Sequence, residues 1–310
     1  MAIAQLSTKA LATRSRWGSS RTRSQTLWGY LLIAPMMLGF AVFFLFALVV
    51  SLALSMTDWD VLTTPNWVGL SNYARLPHDD AFMIALRNTA ALAIPNVILR
   101  LILSLAIALA LNSRIRFRSF YRTLFFMPVL TMPIATATIW KWLFDPGFGP
   151  INASLGRLGL PQPEWLAHPE TAVIAVVIVL LWSGVGYDMV IFLAGLQNIP
   201  REYYEAAQID GASNFRQFRD ITLPLLTPTT FFLLVIAIIG SLQVFDLVFI
   251  MTRSGSNANV FPTIVYYIYD EGFQNFRMGY AITIAWVLLL IILVFTLLQF
   301  QLQRRWVHYA

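Results

Sequence analysis

Residues able to do chemistry are few in this chain, and they do not cluster. The histidines are His78, His168 and His308, far apart and flanked by loop-like residues, which is not the spacing of a metal-ligand set. Cysteine is absent, so disulfides, thiolate metal sites and cysteine nucleophiles are excluded. A phosphate-cradling P-loop needs Gly-Lys followed by Ser or Thr. The lysines are Lys9, after Thr8, and Lys141, after Trp140, and neither supplies that motif. What remains are polar groups set inside apolar runs. Asp188 ends the stretch Trp182-Ser-Gly-Val-Gly-Tyr-Asp188, and Ser241, Gln243 and Asp246 fall close together in another run. Ionisable groups in a lipid-crossing helix are costly and mark a pathway or a pairing. Tyr187 offers an aromatic face with a hydroxyl, which suits a sugar ring. Gly184 and Gly186 leave room either for a ligand or for close helix packing. Arg100, in the middle of an earlier run, has three options: contact with solute, a pair with Asp188 or Asp246, or a place against another subunit. Facing lipid unpaired would cost it at least about 2.5–3.5 kcal/mol.

The elements that must carry these groups follow from composition. Of 310 residues, 58% are hydrophobic and 12% charged, with a mean hydropathy of +0.68. Soluble domains average about 25% charge, so an ordinary cytosolic enzyme and a disordered chain are both excluded. Six stretches reach the roughly 20 apolar residues that a membrane-crossing helix needs: 27–56, 89–111, 124–144, 171–196, 223–251 and 280–302. They do not alternate as barrel strands do. The expected class is therefore all-α, a polytopic membrane protein with six transmembrane helices. The first stretch is about twice as long as a signal-peptide core of about 7–15 residues, so it reads as a retained helix. Pro95, Pro128 and Pro133 interrupt spans and are expected to kink them.

Residues 1–26, rich in Ser, Thr and Arg, read as a flexible basic tail drawn to anionic lipid, ahead of a permease-like body over 27–310. Fourteen of the 21 Lys and Arg residues lie in the tail, the second and fourth connections and the C-terminus, against five on the opposite face. That asymmetry places both termini in the cytoplasm. The basic residues sit in short clusters between apolar runs, so the net charge of +6 does not point to nucleic acid.

The fourth connection, 199–224, is unlike the others. Pro200 stands at a helix start with Glu202 and Glu205 in the first turns, where carboxylates suit the helix dipole. Asp210-Gly211 signals a turn. Ser213 or Asn214 can cap a second short helix carrying Phe215, Phe218 and Ile221 on one face. Ala206, Ala207 and Ala212 form a small-residue face open to close approach. The pattern fits either a docking element for another protein or an interfacial helix that seals the bundle end.

The run Glu205-Ala206-Ala207-x-x-Asp210-Gly211-Ala212, followed by Ile221-x-Leu223-Pro224, resembles the EAA loop of ATP-binding-cassette importer permeases. Trp67-Val-Gly-Leu-Ser-Asn-Tyr73, Arg87-Asn-Thr89, Val244-Phe-Asp-Leu-Val-Phe-Ile-Met-Thr252 and Arg304-Arg-Trp-Val-His308 are similar to segments of the carbohydrate-uptake branch, of maltose and glycerol-phosphate type. The resemblance covers roughly 28–308. It implies the type I importer permease fold, in a bacterial inner membrane. It implies that Glu205, Ala206, Ala207, Asp210, Gly211 and Ala212 form a coupling element seated on one of two separate ATPase subunits, which bind the ATP and Mg. It implies a second, homologous permease subunit and an extracytoplasmic solute-binding protein. The spans flanking the loop would line the pathway, which singles out Gly184, Tyr187, Asp188, Ser241, Gln243 and Asp246. A stand-alone secondary transporter or channel for a small polar solute is the competing class. It needs no ATPase-shaped surface, and no internal repeat supports it. A membrane-embedded enzyme would show clustered Asp, Glu or His within the bundle, and the sequence shows only scattered ones.

Overall fold

The computed structural model describes residues 18–113, 115–253 and 260–307, with side chains from Ser24 onward. The first part of the basic tail, Arg114 and His308 fall outside the described residues. The chain divides into two compact units, Met1–Leu54 and Ser55–Ala310, and each is taken separately.

The first unit is helical from Gly18, inside the segment expected as a tail. Helix α1 runs Gly18–Phe40, continues through a π-helical stretch Ala41–Phe46, and ends as Ala47–Ser55. Most of its side chains, among them Met36 and Phe43, are exposed. Apolar residues on every side of a long helix are the mark of a segment whose solvent is hydrocarbon.

The second unit opens with a minimal hairpin. Strands β1 (Thr57–Asp58) and β2 (Asn66–Trp67) pair antiparallel with Thr57 opposite Trp67. Helix α2 (Ser71–Arg75) follows. Asn72 from α2 donates to the carbonyls of Ser55 and Thr57, so the Trp67–Tyr73 segment clamps this end of the unit. Helix α3 (Asp80–Asn112) starts nine residues before the expected span at Thr89. The reason is a cap outside any hydropathy signal. Asp79 Oδ1 accepts from the amides of Ala81 and Phe82, which satisfies donors that a bare helix start leaves open. Its other oxygen accepts from the hydroxyls of Tyr267 and Tyr280. Burial pushes the Asp79 carboxyl up, but the tyrosine and backbone hydrogen bonds outweigh it and hold the group below its ordinary value.

The expected third span is broken. Helix α4 (Arg118–Phe126) with its 3-10 extension to Leu130, and α5 (Pro133–Leu143), meet at 99°. Thr131 and Met132 are extended and Pro133 supplies the first residue of α5, where its missing N–H costs nothing. A short helix α6 (Pro150–Arg157) leads to α7 (Pro169–Gln197), which matches the fourth expected span within two residues at each end. The fifth span is interrupted as well: α10 (Thr227–Leu242) stops and α11 (Asp246–Met251) resumes after 243–245. Between α7 and α10 stand α8 (Arg201–Ile209) and α9 (Asn214–Gln217). Helices α12 (Ile264–Tyr269) and α13 (Met278–Trp306) complete the chain. Among the described residues, five helices are long and apolar enough to cross a membrane, and the bent α4–α5 pair makes six if it is counted as one span.

Helices α3 and α7 form the centre of this unit. Toward one end Ala108 and Leu111 of α3 pack on Met189, Phe192, Leu193 and Leu196 of α7, with Leu226 and Leu233 closing over them. Toward the other, α7 packs its Ala172–Val179 stretch against Leu92, Phe144 and Val248. The third cluster joins Phe82 and Ala85 to Ile264, Tyr280 and Ile284. Gly186 permits a close approach, because any side chain there would collide with the carbonyl of Phe125 in α4.

Candidate pathway and coupling sites

Residues Leu180, Ser183, Gly184, Tyr187 and Asp188 recur at three- and four-residue spacing and so share one face of α7. At one place on that face Ser183 and Leu180 meet both chain breaks. Together with Thr131 and Thr136 from the α4–α5 bend, and Gln243, Phe245 and Asp246 from the α10–α11 break, they line a cavity of about 290 Å³. Irregular backbone at membrane depth persists only where it is buried in protein or lines a water-filled space. Two such breaks meet on this one cavity. Among the described residues the Gln243 amide and Asp246 carboxylate form no side-chain hydrogen bond or ion pair and are exposed. The two threonine hydroxyls bond to each other at 2.9 Å. A larger groove of about 500 Å³ lies between α3, α10 and α13, but its lining is apolar except for Thr89, and Thr89 is already engaged with Ala85 and Ile264.

The other expected residues are placed differently. Asp188 accepts from Nε and Nη2 of Arg100 at 2.6 Å each, a bidentate pair whose side chains are 1% and 17% exposed. Of the three options for Arg100, the structure takes the pair with Asp188. Gly184 makes it possible, since a β-carbon there would lie 3.0 Å from Cζ, Nε and Nη1 of Arg100. Asp188 is thus held by Arg100 and Gly184 by packing. Ser241 is buried and accepts from Asn96 at 2.8 Å, also away from the cavity. Tyr187 is exposed on the same side of α7 as Ser183. Thr131, Thr136 and Ser183 escaped the sequence reading. The only signal for them was the pair of prolines around 128–133.

The loop at 199–224 is built as a two-helix knuckle. Pro200 precedes α8, and the chain reverses at Gly211, whose φ of +74° favours glycine. Ala212 N donates to Ala207 O at 2.8 Å and Gly211 N to Gln208 O at 3.0 Å, which closes the end of α8 with a left-handed residue. Ser213 caps α9 by accepting from Arg216 N. The base is anchored: Ile199 is buried in the α3–α7 cluster, and Tyr204 hydroxyl bonds Thr222 hydroxyl at 2.9 Å. Glu205, Ala206, Asp210 and Gly211 are exposed, whereas Ala207 and Ala212 are half-buried.

Phe215, Phe218 and Ile221, expected on one face of a short helix, differ in cover: Phe218 and Ile221 are half-buried and Phe215 is exposed. The α-helix lasts one turn, and residues Phe218–Thr222 form a π-helical turn, which shifts the side-chain phase. Gln217 turns inward instead and donates to Ala212 O. Phe215 is left 73% exposed, and Ile209 at the end of α8 is 87% exposed.

Residues 100–308 match the family of binding-protein-dependent transport system inner membrane components. The chain is 37% identical over 296 residues to the probable ABC transporter permease protein YesP of Bacillus subtilis strain 168, covering 94% of this chain and 95% of that one. It is 35% identical over 275 residues to the arabinooligosaccharides transport system permease protein AraP of the same organism, covering 88% and 87%. It is 32% identical over 283 residues to the sn-glycerol-3-phosphate transport system permease protein UgpA of Agrobacterium fabrum, covering 91% and 96%. In structure it is similar to a chain of a bacterial ABC transporter that imports the acidic polysaccharide alginate, with TM-score 0.80 and 25% identity over 94% of this chain and 99% of that one. The chain belongs to this family of binding-protein-dependent transport permeases, as a membrane-embedded, non-catalytic subunit.

Proposed function

We propose that the chain forms half of the conduit of a carbohydrate importer, and that the α8–α9 knuckle is where ATPase subunits grip it. The observation that carries this is the knuckle's exposed tip. Ile209, Phe215 and Glu205 of the knuckle are all exposed, and large apolar side chains left in solvent are a feature of interaction sites. Glu205, Ala206, Asp210 and Gly211 would face the ATPase, with Ala207 and Ala212 packing the knuckle from behind. Glu205 would pair with a basic residue of that partner. ATP and Mg would be bound by the two ATPase subunits, because this chain has no lysine in a P-loop context. Closure of the ATPases would draw the knuckle inward, and the Tyr204–Thr222 bond and the buried base would pass that movement to α7 and α10.

The solute would cross at the two chain breaks. Gln243, Asp246, Ser183 and the ring of Phe245 offer acceptors, donors and an apolar face, the mixture that polyol recognition needs. Relatives that handle arabinooligosaccharides, lactose and several sugars support a carbohydrate. An extracytoplasmic binding protein would deliver it, and a second homologous permease would complete the conduit. The Lys and Arg asymmetry supports an inner-membrane location with both termini and the knuckle in the cytoplasm.

The test is uptake by the complete transporter in proteoliposomes. Gly211→Pro forces φ to about −65° where the turn has +74°, and Glu205→Lys inverts the tip's charge. Both variants are expected to insert normally and to hydrolyse ATP without importing solute. Normal import by both would refute the coupling role. Full import by the purified chain without any ATPase would favour the stand-alone carrier.

A further inference from the structure

We infer that the start of α4 and the cleft beside it bind a phospholipid with an anionic headgroup. Arg116, Arg118 and Arg122 gather where the chain leaves α3 and enters α4, at the membrane–water boundary. None of the three forms an ion pair among the described residues. Arg116 lies over the ring of Phe117 at 5.3 Å. Arg118 and Arg122 are one helical turn apart on one side of α4, and both are half-buried. The Nε and Nη2 atoms of Arg118 are buried without a hydrogen-bond acceptor. Among the described residues nothing accepts from these two nitrogens, and an anion reaching the guanidinium would supply the missing counter-charge. Helix α4 also begins without a side-chain cap, so its first amides add to the positive potential there.

The other end of α4 presents the opposite chemistry. Leu124 and Phe125 line an apolar cleft of about 360 Å³ with Leu103 and Ile107 of α3 and Trp182 of α7. Among the described residues no charged side chain lines it. Arg118 and Phe125 are about 10 Å apart along the helix axis at 1.5 Å per residue. A guanidinium cluster followed within that distance by an apolar cleft matches a phosphate with its acyl chain. Free phosphate would leave the cleft empty. A planar guanidinium suits phosphate oxygens in particular.

A photo-reactive benzophenone amino acid at Leu124 tests this in the complete transporter. The complex is reconstituted in phosphatidylcholine alone or mixed equally with phosphatidylglycerol, illuminated, and the adducts weighed. We expect phospholipid adducts that favour phosphatidylglycerol over phosphatidylcholine by at least about fivefold, the effect of one basic residue at an anionic surface. Arg122→Gln, and separately Arg118→Gln, should bring that ratio toward one, and inorganic phosphate in the buffer should leave it unchanged. An adduct to another protein chain would overturn the inference in favour of a subunit contact. Equal labelling of both lipids would overturn it, even if neither arginine variant can be purified. Displacement by inorganic phosphate would assign the cluster to a soluble anion.

Discussion

Arg100 and Asp188 decide how α3 meets α7. Two charges taken into a membrane interior are tolerable because they satisfy each other bidentately at 2.6 Å, and Ser104 fills the next turn by donating to the Arg100 carbonyl. Removing one partner strands the other. Asp188→Ala or Arg100→Ala should therefore cost about 3–5 kcal/mol, read as a fall in Tm of the detergent-solubilised protein. Arg100→Met with Asp188→Leu should recover most of that loss, because an apolar pair of similar volume needs no counter-charge. If the double change is no better than the singles, the pair is not what joins the helices. Asp79 makes a second residue-scale prediction, with a pH sign. Its folded pKa is lowered from 3.8, so its contribution is complete above that value and is lost as pH falls through the lower folded one. Asp79→Ala should cost about 1–3 kcal/mol at neutral pH for the hydroxyls of Tyr267 and Tyr280 that it orphans. The deficit relative to wild type should shrink on acidification below 3.8, and a constant deficit down to strong acid would contradict the assignment. The sequence showed Arg100 and Asp188 as costly groups in separate runs and so made their pairing one option among three. It gave no hint of Asp79, whose tyrosine partners lie 188 and 201 residues away.

Elements were legible wherever length and hydropathy suffice, and illegible wherever a local turn resets the phase. The run at 171–196 became α7 almost unchanged because nothing polar flanks it ambiguously. The bend between α4 and α5 was visible in Pro128 and Pro133, since proline removes a backbone donor and clashes with the preceding turn. The α10–α11 break had no such marker. Gln243-Val-Phe contains neither glycine nor proline, and the Val244 carbonyl freed there is met by Thr263 from far along the chain. The π turn after α9 likewise left no compositional trace. The two breaks make a prediction at this scale. Gln243→Ala and Asp246→Asn should raise the KM for uptake several-fold while leaving membrane insertion and Tm unchanged, because neither side chain holds the fold together. An unchanged KM in both would remove the cavity from the pathway.

In the whole molecule, the proposed coupling runs from the cavity at the two chain breaks to the knuckle through α7 and α10. It requires that the knuckle touch an ATPase. The natural chain has no cysteine, so Ile209→Cys gives a single thiol at the most exposed apolar position of the tip. The decisive measurement is a thiol cross-link from that position in the assembled, importing complex. An adduct to an ATPase subunit, with hydrolysis no longer stimulated by solute-loaded binding protein, is the result the account predicts. A complex that imports normally while position 209 reacts with reagent but never with an ATPase subunit would contradict it.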